Sequence, residues 1–180
     1  MEGISIHDNF LPKEEQDFVI NYCLESPYFS GITDNPDTPA TGMYSPIYED
    51  HSVFDSLKIT EKLDPHKLFN IFESKIQQQF SHLIENMILG EMYFNSFAPT
   101  EIPYFHIDID AKNKGTTFLY YANQEWNMHD GGETQFLIND EIYGVLPIPN
   151  RMIVFDASIL HRATSFRNRF RFTLAARYST

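Results

Sequence analysis

A chain of 180 residues, 42% of them apolar, with 25 acidic against 13 basic side chains and a net charge of −12, suits one compact domain over residues 1–180 with a sizeable core. That charge disfavours non-specific attraction to a nucleic-acid backbone, and no apolar run is long enough to span a bilayer. The single cysteine, Cys23, excludes an intrachain disulfide and any thiolate zinc site.

Residues 1–10 contain acidic side chains and no basic stretch followed by an apolar core, so a cytoplasmic protein is expected. Pro12 opens a helix predicted to run to about Glu25, with Phe18, Val19 and Tyr22 at helical spacing, and Pro27 ends it. Residues 30–49 are rich in Gly, Pro, Asp, Thr and Ser without periodicity. They predict a long surface loop, which in an enzyme is a candidate lid. Asp64-Pro65 reads as an N-cap followed by a first-turn proline. The stripe Phe69, Phe72, Ile76, Phe80, Leu83 and Met87 then predicts a second helix packed by one face.

From Met92 the pattern changes to short strands divided by Asn, Gly and Pro, predicted near 91–98, 103–110, 116–122, 133–138, 142–146, 151–156, 159–165 and 169–178. Strands after two helices predict a mainly β fold: a double-stranded β-helix (jelly roll, cupin-like) backed by the helices, with 1–90 as helical support and loop and 91–180 as the jelly-roll core. On the last strand Arg171, Thr173 and Ala175 share one face and Phe170, Phe172 and Leu174 the other. The bulky face fits the helices, and the face with one Arg and small residues leaves room for a ligand. All six arginines fall between Arg151 and Arg177, where Asp156 is the only acidic residue; a solvated edge of the sheet is the usual explanation, and a locally basic rim that recruits an anionic co-substrate is the other.

The chemistry centres on His106-Ile107-Asp108. Side chains alternate along a strand, so His106 and Asp108 point one way while Phe105, Ile107 and Ile109 point the other, and one strand supplies two ligands to one metal. His161, on a distant strand, closes one face of an octahedron and leaves the opposite face open, the arrangement of a two-histidine, one-carboxylate iron site. His-x-Asp alone is common in ordinary strands. Its weight comes from the order of the surrounding pieces: Asn95-Ser96-Phe97-Ala98-Pro99, Tyr120-Tyr121-Ala122-Asn123, Gly131-Gly132-Glu133-Thr134-Gln135-Phe136, Pro149-Asn150-Arg151 and Arg171-Phe172-Thr173-Leu174.

With these pieces in this order, residues 90–178 resemble the 2-oxoglutarate/Fe(II)-dependent dioxygenase superfamily, in particular its prolyl 4-hydroxylase-like branch. The resemblance implies Fe(II) held by His106, Asp108 and His161, with 2-oxoglutarate and O2 as co-substrates and ascorbate as a reductant. It implies Arg171 as the anchor of the distal carboxylate of 2-oxoglutarate, with Arg169 on the same face as the competitor, and Tyr121 as the tyrosine that meets that carboxylate. A core tyrosine explains Tyr121 as well. Asn95 and Phe97 resemble an Asn-x-Tyr pair that contacts 2-oxoglutarate in related nucleic-acid demethylases, but Phe97 lacks the hydroxyl and reads as a pocket wall. The implied activity couples oxidative decarboxylation of 2-oxoglutarate to C–H hydroxylation of a peptide side chain of the prolyl type. The alternatives are the same chemistry on a free amino acid, small metabolite or nucleobase, and a cupin-like binding protein without turnover. His129-Asp130 reads as turn chemistry, Asp110 as a solvated or supporting carboxylate, and Trp126 as a loop anchor or a cap on the substrate entrance. The sequence leaves the oligomeric state open.

Overall fold

The computed structural model describes residues 3–30, 37–54, 63–110 and 112–180. In chain order they form β1 (Ile4–His7), α1 (Lys13–Glu25), β2 (Phe29–Ser30), β3 (Met43–Glu49), β4 (Ser52–Val53), α2 (Pro65–Phe80), β5 (Ile88–Phe97), β6 (Gly115–Tyr121), β7 (Thr134–Ile138), β8 (Glu141–Val145), β9 (Met152–Asp156), β10 (His161–Ala163) and β11 (Arg171–Ser179). The strands make two antiparallel sheets, a large one ordered β1-β9-β6-β11-β5-β3-β2 with β4 on β3, and a small one ordered β10-β7-β8. This is the jelly roll with two helices that the sequence predicts. Among the described residues no helix is long and apolar enough to cross a membrane.

Period-2 alternation divides the large sheet into two faces. Phe118, Tyr120, Met152, Val154, Leu174, Ala176 and Tyr178 join the core shared with the helices. Their strand neighbours Leu119, Tyr121, Ile153, Phe155 and Ala175 turn the other way, onto Phe136 and Val145 of the small sheet. α2 begins as predicted: the Asp64 side chain accepts from Lys67 N at 3.0 Å and Pro65 occupies the first turn. Leu68, Phe72, Ile76 and Phe80 are buried at a spacing of four. Each contributes roughly 1.5–3 kcal/mol of burial before entropy is counted. The helix stops at Phe80, so Leu83 falls in a 3-10 turn (Ser81–Leu83) and is exposed.

Two expectations need correction. Within the predicted loop 30–49, Met43–Glu49 is a strand that pairs with β5, and Phe29–Ser30 pairs with β3. Only 31–36 lie outside the described residues. Pro46 hid this strand because proline cannot donate to a ladder; here it sits at a register shift between Pro46 and Tyr48, which strands use to accommodate proline. The N-terminal half also gives the large sheet its β1 edge, paired with β9 and tied by Arg151 to Asp8. The predicted strand 103–110 is reduced to one bridge, His106 to His161, after which Asp108 N and Ile109 N both reach Ala157 O at 2.9 and 3.3 Å.

Candidate metal centre

His106, Asp108 and His161 come together between the two sheets, with one ligand atom from each lying within 4.8 Å of the others. His106 Nε2 is 3.6 Å from Asp108 Oδ1, and His161 Nε2 is 3.7 Å from Asp108 Oδ2. The three side chains are 9%, 1% and 8% exposed. Both histidines are braced alike: His106 Nδ1 lies 3.1 Å from Tyr104 O and His161 Nδ1 lies 2.9 Å from Ile159 O. A carbonyl only accepts, so each Nδ1 carries the proton and each Nε2 turns its lone pair to the common point.

Electrostatics suits a cation there. Burial lowers the pKa of His161, outweighing the attraction of Asp108, and keeps the imidazole neutral as a ligand requires. Burial alone would raise Asp108, but Arg177, His161, the hydrogen bond from Thr117 and His106 together outweigh it and hold the carboxyl low. Asp108 Oδ1 touches Arg177 yet receives no aligned hydrogen bond, among the described residues, which leaves it a lone pair. Two imidazoles that turn Nε2 to a common point, one carboxylate held low and an oxygen with spare acceptor capacity fit Fe(II).

The triad opens onto a small cavity of about 30 Å³. β11 contributes Arg171, Thr173, Ala175 and Arg177 to its wall, the face the alternation assigns to ligand. Asn95 and Phe97 of β5 line it too. Arg171 is 1% exposed, and its Nε donates to Gly132 O and its Nη2 to Thr134 Oγ1, both at 2.9 Å. Among the described residues no carboxylate forms an ion pair with it. Arg169 does not line the cavity; it pairs with Glu125 at 2.5 Å and Asp130 at 3.8 Å outside. Tyr121 lies beside Arg171, its ring centre 5.3 Å from Cζ. Its hydroxyl is engaged by Val145 O at 3.1 Å and Thr134 Oγ1 at 2.7 Å. With the tyrosine proton on Val145 O, Thr134 donates to Tyr121 and accepts from Arg171, so Tyr121 supports the guanidinium through Thr134.

The loop residues resolve simply. Trp126 Nε1 donates to Gly131 O at 3.0 Å and anchors its own loop. His129 N and Asp130 N close a turn on Asn127. Asp110 Oδ1 accepts from Lys112 N in another turn. In the arginine-rich segment Arg151, Arg169 and Arg177 each pair with a carboxylate. Thr117, Thr134 and Arg177 escape the sequence reading. Arg177 had a signal, because it continues the inward series of Arg171, Thr173 and Ala175; the roles of the threonines depend on which neighbour their short side chains meet.

Gly132, whose carbonyl holds Arg171, has φ +88, and a Cβ there would lie 2.1 Å from the buried Phe166 ring. Gly132→Ala is expected to lose about 2–4 kcal/mol, combining backbone strain with overpacking, as measured by urea denaturation.

A family model described as the 2OG-Fe(II) oxygenase superfamily matches residues 99–178, the stretch that contains all three metal-facing side chains and Arg171. That stretch is thus similar to the 2OG-Fe(II) oxygenase superfamily. The match and the metal-facing triad support an oxygenase whose cofactor is Fe(II) and whose co-substrates are 2-oxoglutarate and O2. Solved structures share the fold across nearly the whole chain. A Pseudomonas putida prolyl-4-hydroxylase is 19% identical, with a TM-score of 0.66 over 98% of this chain and 91% of that one. A Burkholderia pseudomallei oxidoreductase of the 2OG-Fe(II) oxygenase family is 14% identical, with a TM-score of 0.76 over 98% and 85%. A Trichoplax adhaerens prolyl hydroxylase, solved with a hypoxia inducible factor oxygen degradation domain peptide fragment, is 17% identical, with a TM-score of 0.75 over 99% and 84%. None of the curated proteins matches the chain significantly.

Proposed function

We propose that this protein is an oxygenase that hydroxylates a C–H bond on a peptide side chain of the prolyl type, in the cytoplasm, with Arg171 anchoring the distal carboxylate of 2-oxoglutarate. The observation that carries the co-substrate half is the buried Arg171 guanidinium, in the same cavity as the triad and without a carboxylate partner among the described residues. A buried cation needs an anion, and the planar fork of a guanidinium matches a carboxylate in two parallel bonds. Between Arg171 and the metal-facing end of the row stand only Thr173 and Ala175 on β11, small enough to leave a dicarboxylate its path. Bound iron and 2-oxoglutarate, with O2, supply the oxidation of the C–H bond. The chain's own residues ligate, align the co-substrate and exclude water.

Two features support a peptide. The segment leading into His106 and Asp108 exposes Ile102, Tyr104 and Ile107, an apolar surface next to the site that suits peptide side chains. The Trichoplax adhaerens enzyme of similar fold was solved with a peptide fragment. The net charge of −12 opposes phosphate backbones. With ascorbate present to keep iron ferrous, proline-containing peptides are expected to raise succinate formation well above the substrate-free rate and to gain the mass of one oxygen atom. Stimulation confined to free amino acids, small metabolites or oligonucleotides would sink the peptidyl assignment.

A further inference from the structure

Three strands of the large sheet meet at one row beside the metal centre. Glu91 on β5 stands across from Arg177 on β11, which stands across from Thr117 on β6. Residues opposite one another in antiparallel strands project to the same side; here Arg177 and Thr117 converge on the Asp108 carboxylate, and Glu91 backs Arg177. Arg177 Nη2 lies 2.6 Å from Asp108 Oδ1, Arg177 Nη1 donates to Glu91 Oε1 at 2.6 Å, and Thr117 Oγ1 donates to Asp108 Oδ2 at 2.5 Å. The register between β11 and β5 shifts just here: Tyr178 pairs with Leu89, and Gly90 is the extra residue. A bulge next to an active site re-aims side chains, and this one falls at the end of the row that holds Asp108. Arg177 Cζ also sits 5.2 Å from the Tyr93 ring centre.

We propose that Glu91 and Arg177 are positioning residues for metal loading: a charge bridge that fixes the plane of the Asp108 carboxylate towards the two histidines. Resting on the metal centre described above, the bridge explains why a buried cation stands beside a site built for another cation. Asp108 is 1% exposed, and a fixed partner on each oxygen keeps its carboxylate from rotating. Arg177 meets Oδ1 as an ion pair rather than an aligned hydrogen bond, so that oxygen keeps electron density for a metal. Glu91 has the second part. It shares the guanidinium, drawing charge away from Asp108, so that Arg177 orients the ligand without opposing a divalent ion over it. An arginine that only neutralised Asp108 for folding would need no second carboxylate.

Cobalt(II) titration of the metal-free protein tests this by calorimetry and by the visible absorption band of the bound ion, neither of which requires turnover. Arg177→Met is expected to weaken Co(II) binding about 10- to 100-fold, the range for groups that orient metal ligands, and to change the band. Glu91→Gln is expected to weaken binding several-fold and shift the band in the same direction, but to leave the band of the Arg177→Met protein unchanged. Arg177→Lys, which keeps the charge and loses the fork, should recover part of the affinity. Wild-type affinity and spectrum in Arg177→Met, or an equal band shift from Glu91→Gln with and without Arg177, overturns the bridge. Should Arg177→Met fail to fold by circular dichroism, Glu91→Gln decides alone, and a normal spectrum there refutes the proposal. Absence of Co(II) binding by the wild type would overturn the metal centre itself, and the bridge with it.

Discussion

Alanine at His161 is expected to leave a folded protein that holds no ferrous iron at concentrations that saturate the wild type and forms no succinate from 2-oxoglutarate. Removing a group that merely orients a ligand costs metal affinity about 10- to 100-fold; removing one of three donor atoms must cost more than that. The fold survives because the link between the two histidine segments is made by main chain, His106 N to His161 O and His161 N to His106 O, both 2.9 Å. What the side chain leaves behind is a gap against the Phe136 and Phe155 rings, costing roughly 1–3 kcal/mol as ordinary core changes do. His106→Ala should behave alike. Asp108→Ala is a harsher change, since it also strips the carboxylate from Arg177, and its loss of iron would be mixed with loss of fold. His161 is therefore the cleaner probe, read by metal analysis after gel filtration and by circular dichroism. Full iron occupancy with normal turnover in His161→Ala would falsify the triad.

The site was legible in the sequence where its residues obey a period. Arg171, Thr173 and Ala175 share a face because strands alternate, and the structure lines the cavity with all three. His106 and Asp108 share a face by the same argument, although the segment that carries them is not a regular strand. Their common orientation survives because the bridge at His106 and two hydrogen bonds to Ala157 O, where the chain bends at Asp108 and Ile109, hold the segment in place. Arg177 obeys the same alternation and went unread, as its chemistry depends on Asp108, 69 positions earlier in the chain, and no local pattern records that distance. Thr134 and Thr117 were invisible for a related reason. A threonine hydroxyl reaches only what the fold sets beside it, and that was the Arg171 guanidinium in one case and the Asp108 carboxylate in the other. The N-terminal strands were hidden by a different mechanism. Pro46 interrupts β3, and the Gly, Pro and Thr content around it carries the statistics of a loop, while the pairing that makes it a strand comes from β5, about 45 residues later.

Arg171→Ala is expected to reduce 2-oxoglutarate binding by about 2–5 kcal/mol, the cost of losing one partner of a desolvated charge pair, or roughly 30- to 4000-fold in Kd. Arg169→Ala should change Kd no more than about threefold, because that guanidinium is spent on Glu125 and Asp130 outside the cavity. Arg171→Met separates binding from folding. In the absence of co-substrate the wild-type guanidinium is buried with hydrogen bonds to Gly132 O and Thr134 Oγ1 but with no carboxylate in ion-pair contact among the described residues, and burial lowers its pKa against the attraction of Glu133. Methionine removes that uncompensated charge at similar volume, while leaving those two acceptors unpaired at about 1–3 kcal/mol each. The terms oppose one another, so the melting temperature of the metal-loaded, co-substrate-free variant should stay near or above that of the wild type. The wild type should gain several degrees when 2-oxoglutarate is added under anaerobic conditions, as a ligand that binds only the folded state requires, and Arg171→Met should gain none. A residue retained for the fold alone would show the reverse, a lower starting melting temperature with the ligand-induced rise intact. If Arg169→Ala proves the costlier change in titrations, the inward register of β11 at its first residues has been misassigned, and the anchor belongs one strand step earlier.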